Sequence, residues 1–421
     1  MMHDVSLGRR HLLLLACLLP ITSCGSSGRK PGASEDERTK YLNETSTNWA
    51  MTRGYPRGTS YNPFEQELNP ESVADLEVVW QVESQAQLVI QHADRVFSTS
   101  GEAYDLASGE LLWSSEQPLP NATVCKGAVF GIGASIDKRS VRTGELADSK
   151  DLGSPDALFS PPTAKDSKVF FSIAAPSAGD AHDAGSRYIA YDVVDKTAQE
   201  VAMPSAQYRT LAPAALTSGM LYSVALEPAG EGFRYVAFAT VFNPETAMNR
   251  KAWSTVLEEQ LASPAELPRQ GAMVIGARVF VPTADGRAVV ALDQRTGDEL
   301  WRAETSSPVS SLAVNFDLVY AVGTTDDGEL VVDGFDFEDG SPLFGQALGE
   351  GTVTSQLAIG GEVLYLGTGE GALIALDGST GAQLERVELG GSVGDPIVTR
   401  GRVFVGNGEQ IFALGLPSAT P

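Results

Sequence analysis

Val289-Val290-Ala291-Leu292-Asp293-Gln294-Arg295-Thr296-Gly297-Asp298-Glu299-Leu300-Trp301 reads as a strand, a tight turn and a second strand. The run Val289 to Leu292 is short, apolar and β-branched at its start, the pattern of a buried strand. Asp293 has a side chain that bonds its own backbone two or three residues on, and Gly297 accepts a positive φ. Trp301, four residues after the glycine, delivers a large ring to the returning strand.

The unit recurs. Working outward, a β-branched or aliphatic residue followed by an aromatic marks each copy: Val96-Phe97, Val129-Phe130, Val169-Phe170, Leu221-Tyr222, Val279-Phe280, Val319-Tyr320, Leu364-Tyr365 and Val403-Phe404. The marks lie about 33 to 58 residues apart, mostly near 40, the length of one four-stranded propeller blade. The turn unit is clear at Asp105/Gly109/Trp113 and Asp293/Gly297/Trp301, and returns as Asp336/Gly340/Phe344. Asp377/Gly381 keeps the turn but has Glu385 at the aromatic position, and Thr143-Gly144 and Asp192 are degenerate copies. The fourth unit is the least regular. Its length implies an insertion within Phe242 to Pro268, with Glu258-Glu259-Gln260-Leu261 as a short helix or loop. In the eighth unit Ile411-Phe412-Ala413-Leu414 is followed by Gly415 where aspartate is expected, and no fourth strand remains. Trp80, in Leu76-Glu77-Val78-Val79-Trp80-Gln81-Val82, has the ring but no blade before it. Residues 76–83 are therefore expected to complete the last blade and close the ring, hiding its open edges. The expected fold is all-β, an eight-bladed propeller of four-stranded blades.

Composition agrees with a turn-rich β protein: 421 residues, with Gly 43 and Pro 23. The net charge of −24 argues against a nucleic-acid footprint. Cys17, Cys24 and Cys125 include no CxxC and form no disulfide framework.

The N-terminus has Arg9-Arg10, an apolar core from Leu12 to Leu19 too short for a permanent span, and then Ile21-Thr22-Ser23-Cys24. This resembles the lipobox of bacterial lipoproteins. That resemblance implies acylation of Cys24, cleavage before it and firm membrane attachment. Residues 25–45 are polar and rich in Gly and Ser, as in a flexible tether. Asn43-Glu44-Thr45 matches a glycosylation acceptor, which a bacterial lipoprotein would not use. Gly25, rather than Asp, favours outer-membrane sorting by analogy with enteric lipoproteins, so the chain is expected on the outer membrane facing the periplasm. The chain divides into a signal peptide (1–23), a lipidated tether (24–48), the propeller (49–416) and a tail (417–421).

The Ala-x-Asp-x-x-x-Gly-x-x-x-Trp repeat at Ala291/Asp293/Gly297/Trp301 resembles the pyrroloquinoline-quinone-type β-propeller superfamily. The superfamily includes cofactor-dependent alcohol dehydrogenases and cofactor-free scaffolds such as the lipoprotein of the outer-membrane β-barrel assembly machinery. The N-terminal segment Trp49…Arg53-Gly54…Tyr61-Asn62-Pro63…Leu68-Asn69-Pro70…Val73…Leu76…Trp80 looks like that of the quinoprotein dehydrogenases. Those enzymes pair adjacent cysteines over the quinone and hold Ca²⁺ with oxygen ligands; this chain has no adjacent cysteines and no matching Glu/Asn/Asp set. No cofactor is therefore expected, quinone with Ca²⁺ belonging only to the alternative of an alcohol or sugar dehydrogenase. The favoured reading is a lipid-anchored scaffold that holds protein partners on its loops, with a carbohydrate- or peptide-binding propeller as a further alternative.

Other candidates are weaker. Asp180, His182 and Asp183 have metal-ligating types but sit in a Gly-rich polar stretch. Asp326-Asp327-Gly328 and Glu338-Asp339-Gly340 are half of a Ca²⁺ loop and read as turns. His92 and His182 lie in no nucleophile motif. Cys125 precedes Lys126, yet reads as a buried structural cysteine. Trp80, Trp113 and Trp301 are assigned to packing between blades rather than to a ligand, and no catalytic residue is expected.

Overall fold

A computed structural model describes residues 38–39, 41–42, 48–153, 156–175, 185–217, 219–230, 232–242, 249–261 and 268–417. Cys24, the signal segment, most of the tether, and Asp180, His182 and Asp183 lie outside them.

The chain forms eight antiparallel four-stranded blades arranged as a propeller. Blade 5 shows the plan. Met273–Ile275 is innermost, Arg278–Pro282 and Ala288–Asp293 follow, and Glu299–Glu304 is outermost. The first-to-second and third-to-fourth turns of every blade share one side of the ring, here called the turn face. The remaining loops form the opposite, loop face.

Each blade is buried on both sheet faces, which explains the continuous apolar runs. Alternate residues serve alternate seams. Val279, Val281, Val290 and Leu292 pack toward blade 4, whereas Phe280, Val289 and Ala291 pack toward blade 6. The core is thus a series of seams around the ring.

Closure occurs as expected. Glu77–Glu83 is the outer strand of blade 8, antiparallel to Gln410–Gly415, from Glu77 opposite Gly415 to Glu83 opposite Gln410. The last blade therefore combines both ends of the ring-forming chain.

Blade 4 corrects one expectation. Glu258 to Leu261 are neither helix nor loop; they continue the outer strand Asn249–Leu261, 13 residues long, beside Gly232–Phe242. Trp253 and Leu257 are buried in the seam to blade 5, and this packing keeps the segment extended. Among the described residues, blade 4 also has long middle strands, Met220–Ala229 and Gly232–Phe242 having 10 and 11 residues. They carry blade 4 beyond its neighbours on the loop face.

Candidate functional site: the seams, the axial segment and the loop face

The repeated turn is built by its own side chain. Asp293 Oδ1 accepts the backbone N–H of Arg295 at 2.9 Å and of Thr296 at 2.8 Å. Asp105 and Asp377 accept two such bonds, and Asp336 accepts the N–H of Glu338 at 2.7 Å. Burial would raise the Asp293 carboxyl, but these N–H groups outweigh it and hold the pKa below the ordinary aspartate range. The aspartates are committed to turns.

The glycines and rings act across seams. Trp80, Trp113, Trp301 and Phe344 lie over Gly109, Gly144, Gly340 and Gly381 of the following blade, where an added methyl would stand 2.5–2.8 Å from a ring carbon. These glycines also have φ between 71° and 73°. Each indole donates to the carbonyl just past the turn aspartate or its equivalent: Trp80 to Leu106 at 3.1 Å, Trp113 to Val141 at 3.1 Å, Trp301 to Phe337 at 3.2 Å. Within its own blade the ring meets the second residue of the blade mark, as in Phe280–Trp301 at 5.7 Å and Phe97–Trp113 at 5.9 Å between centroids.

The sequence reading missed one member. Trp253 packs on Gly297 and donates to Gln294 at 3.0 Å, performing the same task between blades 4 and 5. Three seams differ. Asp148 and Lys196 replace ring and glycine between blades 2 and 3, with 3.2 Å between carboxylate and ammonium; Lys196 retains the positive φ of 56°. Gln199 and Glu385 stand opposite Ala190 and Ala375, where other blades place the ring.

A second arrangement lies on the axis. Residues 49–65 pass the innermost strands in turn, near their turn-face ends. Gln91 and Val124 donate backbone N–H to the carbonyls of Trp49 and Ala50; Leu216, Val274, Val314 and Ile359 donate to those of Pro56, Arg57, Thr59 and Ser60. Asn62 Nδ2 then reaches Val398 O at 2.8 Å, and the Glu65 carboxylate accepts the Gly401 N–H at 3.0 Å. Positive φ at Arg53, Gly54, Gly58 and Ser60 gives the tight curvature. Arg53 is buried and donates to the carbonyls of Gly58, Gly271 and Ala272; desolvation lowers its pKa to about 10. Its Nη1 has no hydrogen-bond partner among the described residues. Arg38 and Tyr41 dock on the same face: Tyr41 bonds Thr59 at 2.6 Å and meets Phe316 edge-on, while Arg38 pairs with Asp317 at 2.8 Å.

The loop face has the projecting hairpin of blade 4. It is braced by Arg209, whose backbone exchanges bonds with Leu226 and whose guanidinium lies 5.9 Å from the Phe233 centroid. The Glu258 carboxylate accepts the Ala284 N–H at 2.5 Å, tying the hairpin to blade 5.

The remaining candidates are placed as follows. Cys125 is free and buried, and desolvation raises its thiol to about 11, so Lys126 does not activate it. Asp326 pairs with Arg287, and Glu338 with Arg278. His92 ends the innermost strand of blade 1, and burial lowers its pKa. Among the described residues no three His, Cys, Asp or Glu side chains are grouped to hold a metal ion. The sequence has no adjacent cysteines of the kind that the dehydrogenase resemblance would place over a quinone. Among the described residues no helix is long and apolar enough to cross a membrane.

Fold and repeat together define the class: the chain is an eight-bladed β-propeller whose later repeats match a pyrroloquinoline-quinone-type family model. A family model described as "Outer membrane protein assembly factor BamB" matches residues 210–332 and 328–415. Among solved structures, BamB from Moraxella catarrhalis is similar at 15% identity, covering 82% of this chain and 99% of its own, with a TM-score of 0.56. Quinohemoprotein alcohol dehydrogenase from Comamonas testosteroni is similar at 12% identity over 92% of this chain and 83% of its own, with a TM-score of 0.67. A europium-containing methanol dehydrogenase is 12% identical, with coverages of 90% and 100% and a TM-score of 0.64. At these identities the likeness concerns the fold alone. No curated protein sequence matches the chain.

Proposed function

We propose that this chain is a lipid-anchored scaffold of the bacterial envelope that holds protein partners during outer-membrane protein assembly. The match of the assembly-factor family model across blades 4 to 8 carries the reading. The architecture supports it: a closed ring offers a rigid platform, and its loops are free to recognise partners. Arg38 and Tyr41 lie on the turn face, opposite the face from which the blade 4 hairpin projects.

The test is capture of the tagged protein from detergent-solubilised envelopes. Recovery of β-barrel assembly components is the expected result, and their repeated absence at low salt sinks the proposal. The anchor is tested separately. Cys24→Ala should give a precursor without the acyl mass, released from membranes on fractionation; unchanged mass and fractionation would exclude lipidation.

The rival reading, quinone-dependent oxidation of an alcohol or sugar, draws on the resemblance of residues 49–80 to dehydrogenase N-termini. Purified protein given quinone and Ca²⁺ would have to reduce a dye acceptor with such a substrate for that reading to replace the scaffold.

A further inference from the structure

A groove of about 610 Å³ lies in the seam between blades 4 and 5 and opens on the turn face. Met220, Tyr222 and Val241 give it an apolar floor from blade 4, and Ala277 adds to it from blade 5. The Tyr222 ring is fixed there: its hydroxyl accepts Gln294 Nε2 at 3.0 Å, and its centroid lies 6.1 Å from that of Trp253. Arg250 and Lys251 line the groove from the outer strand of blade 4, and Arg295 lines it from the third-to-fourth turn of blade 5. All three are exposed. Among the described residues none of them has an ion pair or a side-chain hydrogen bond. Asp293 is the only acidic residue of the lining, and its carboxylate already accepts the N–H groups of Arg295 and Thr296. The groove therefore has an excess of positive charge in a chain whose net charge is −24.

The next seam shows what is missing. Between blades 5 and 6, Arg278 opens the second strand of blade 5 and pairs with Glu338, two residues past the turn aspartate of blade 6. Between blades 4 and 5 the same two positions hold Met220 and Arg295. An apolar side chain stands in place of the cation and a cation in place of the acid, so this ion pair does not close the seam.

Cations on both sides of an apolar floor select an anionic occupant that also has an apolar part. The turn amides argue against a phosphate-type oxyanion, which is held largely by free backbone N–H groups. Here the N–H groups of Arg295 and Thr296 go to the Asp293 carboxylate, that of Gln294 to the Ala277 carbonyl, and that of Gly297 to the Asp293 carbonyl. Side-chain charge on two walls remains, which suits carboxylates spaced along a chain.

We infer that this groove binds an acidic segment of a protein partner, with its carboxylates on Arg250, Lys251 and Arg295 and an aliphatic side chain on the floor formed by Met220 and Tyr222. The inference rests on the protein-binding reading and gives it a location and a recognised chemistry.

The probe is the blocked peptide acetyl-Glu-Leu-Asp-Glu-amide, titrated into the full-length protein and followed by ligand-observed NMR. Saturable binding with a Kd on the order of millimolar is expected for so small a fragment. It should weaken several-fold at about 0.5 M NaCl, where exposed charges are screened. Arg250→Gln with Arg295→Gln should weaken it about tenfold, the size of two exposed ion pairs, at an unchanged melting temperature. Met220→Arg with Arg295→Glu supplies the ion pair of the next seam and should abolish binding in a folded protein. No saturable binding to the parent protein overturns the site, as does undiminished binding to either folded double variant. Equally tight binding of the neutral peptide acetyl-Gln-Leu-Asn-Gln-amide overturns the charge recognition. Inorganic phosphate that displaces the peptide at equal concentration would overturn the peptide assignment. Envelope capture separates the two proposals. Partners held equally by the parent and by the Arg250→Gln, Arg295→Gln protein would remove the groove's role and leave the scaffold standing, whereas a parent protein that captures none removes the scaffold itself.

Discussion

Trp301 has its ring against Gly340 of the next blade and its Nε1 on the Phe337 carbonyl, with only 8% of its surface exposed. Trp301→Ala therefore removes a large buried ring and leaves a carbonyl unmet. Urea unfolding should show a loss of about 3–5 kcal/mol. Gly340→Ala acts from the other side of the same contact, placing a methyl 2.6 Å from the ring at a φ of 71°; a loss of about 1–3 kcal/mol is expected. If either variant unfolds with the parent, the ring-on-glycine contact does not hold the seam. Asp395 poses a different problem. It lies in the connection between blades 7 and 8, accepts the Gln356 N–H at 2.7 Å, and desolvation raises its carboxyl from 3.8 to about 6. Below pH 3.8 both folded and unfolded states are protonated, and burial of the charge costs nothing. As the pH rises toward 6 the unfolded state ionises first, so stability falls, and the full cost persists above that. Asp395→Asn keeps the acceptor and removes the charge. It should raise stability at pH 8 by up to about 3 kcal/mol and leave it unchanged at pH 3, which parallel thermal melts would check.

The seams also separate what the amino-acid pattern revealed from what it concealed. Asp, Gly and Trp at fixed spacing are legible because one turn geometry requires them, and five blades satisfy it in closely related forms. Trp253 escaped because its separation from the paired Ala239 is four residues longer than that of Trp301 from Ala291, and Val241 occupies the aspartate's place. The axial segment was visible only as a resemblance. Arg53, Thr59, Ser60 and Asn62 have no 2- or 3.6-residue period, since they are organised by main-chain bonds to a ring assembled from the rest of the chain. Gln199 was equally silent, because a missing ring leaves no motif. The blade 2–3 seam offers a test of the pattern itself. Asp148→Trp alone should clash with or displace Lys196, whereas Asp148→Trp with Lys196→Gly recreates the ring-on-glycine pair and relieves a non-glycine φ of 56°. The double variant should exceed the Asp148→Trp single variant in stability by about 1 kcal/mol or more, measured by a double-mutant cycle. Strict additivity of the two changes would mean that the seam is not specified by this pair.

At the scale of the molecule, the ring is only as continuous as the blade that joins its ends. Seven blades take all four strands from one local stretch, but blade 8 brings Glu77–Glu83 against Gln410–Gly415. The same N-terminal region also threads the axis, bonding blade after blade from Gln91 to Gly401 before it reaches the closing strand. Loss of closure should therefore be felt far from blade 8. Replacing residues 77–83 by a seven-residue Gly/Ser stretch preserves chain length while deleting the strand and Trp80, which covers Gly109 of blade 1. The ring contact alone is worth about 3–5 kcal/mol, and the exposed edge of Gln410–Gly415 adds a tendency to associate. The expected outcome is a lower melting temperature together with faster amide exchange in blades 1 and 7 as well as in blade 8. Faster exchange confined to blade 8, at an unchanged melting temperature, would mean that the axial segment holds the ring without the strand that closes it.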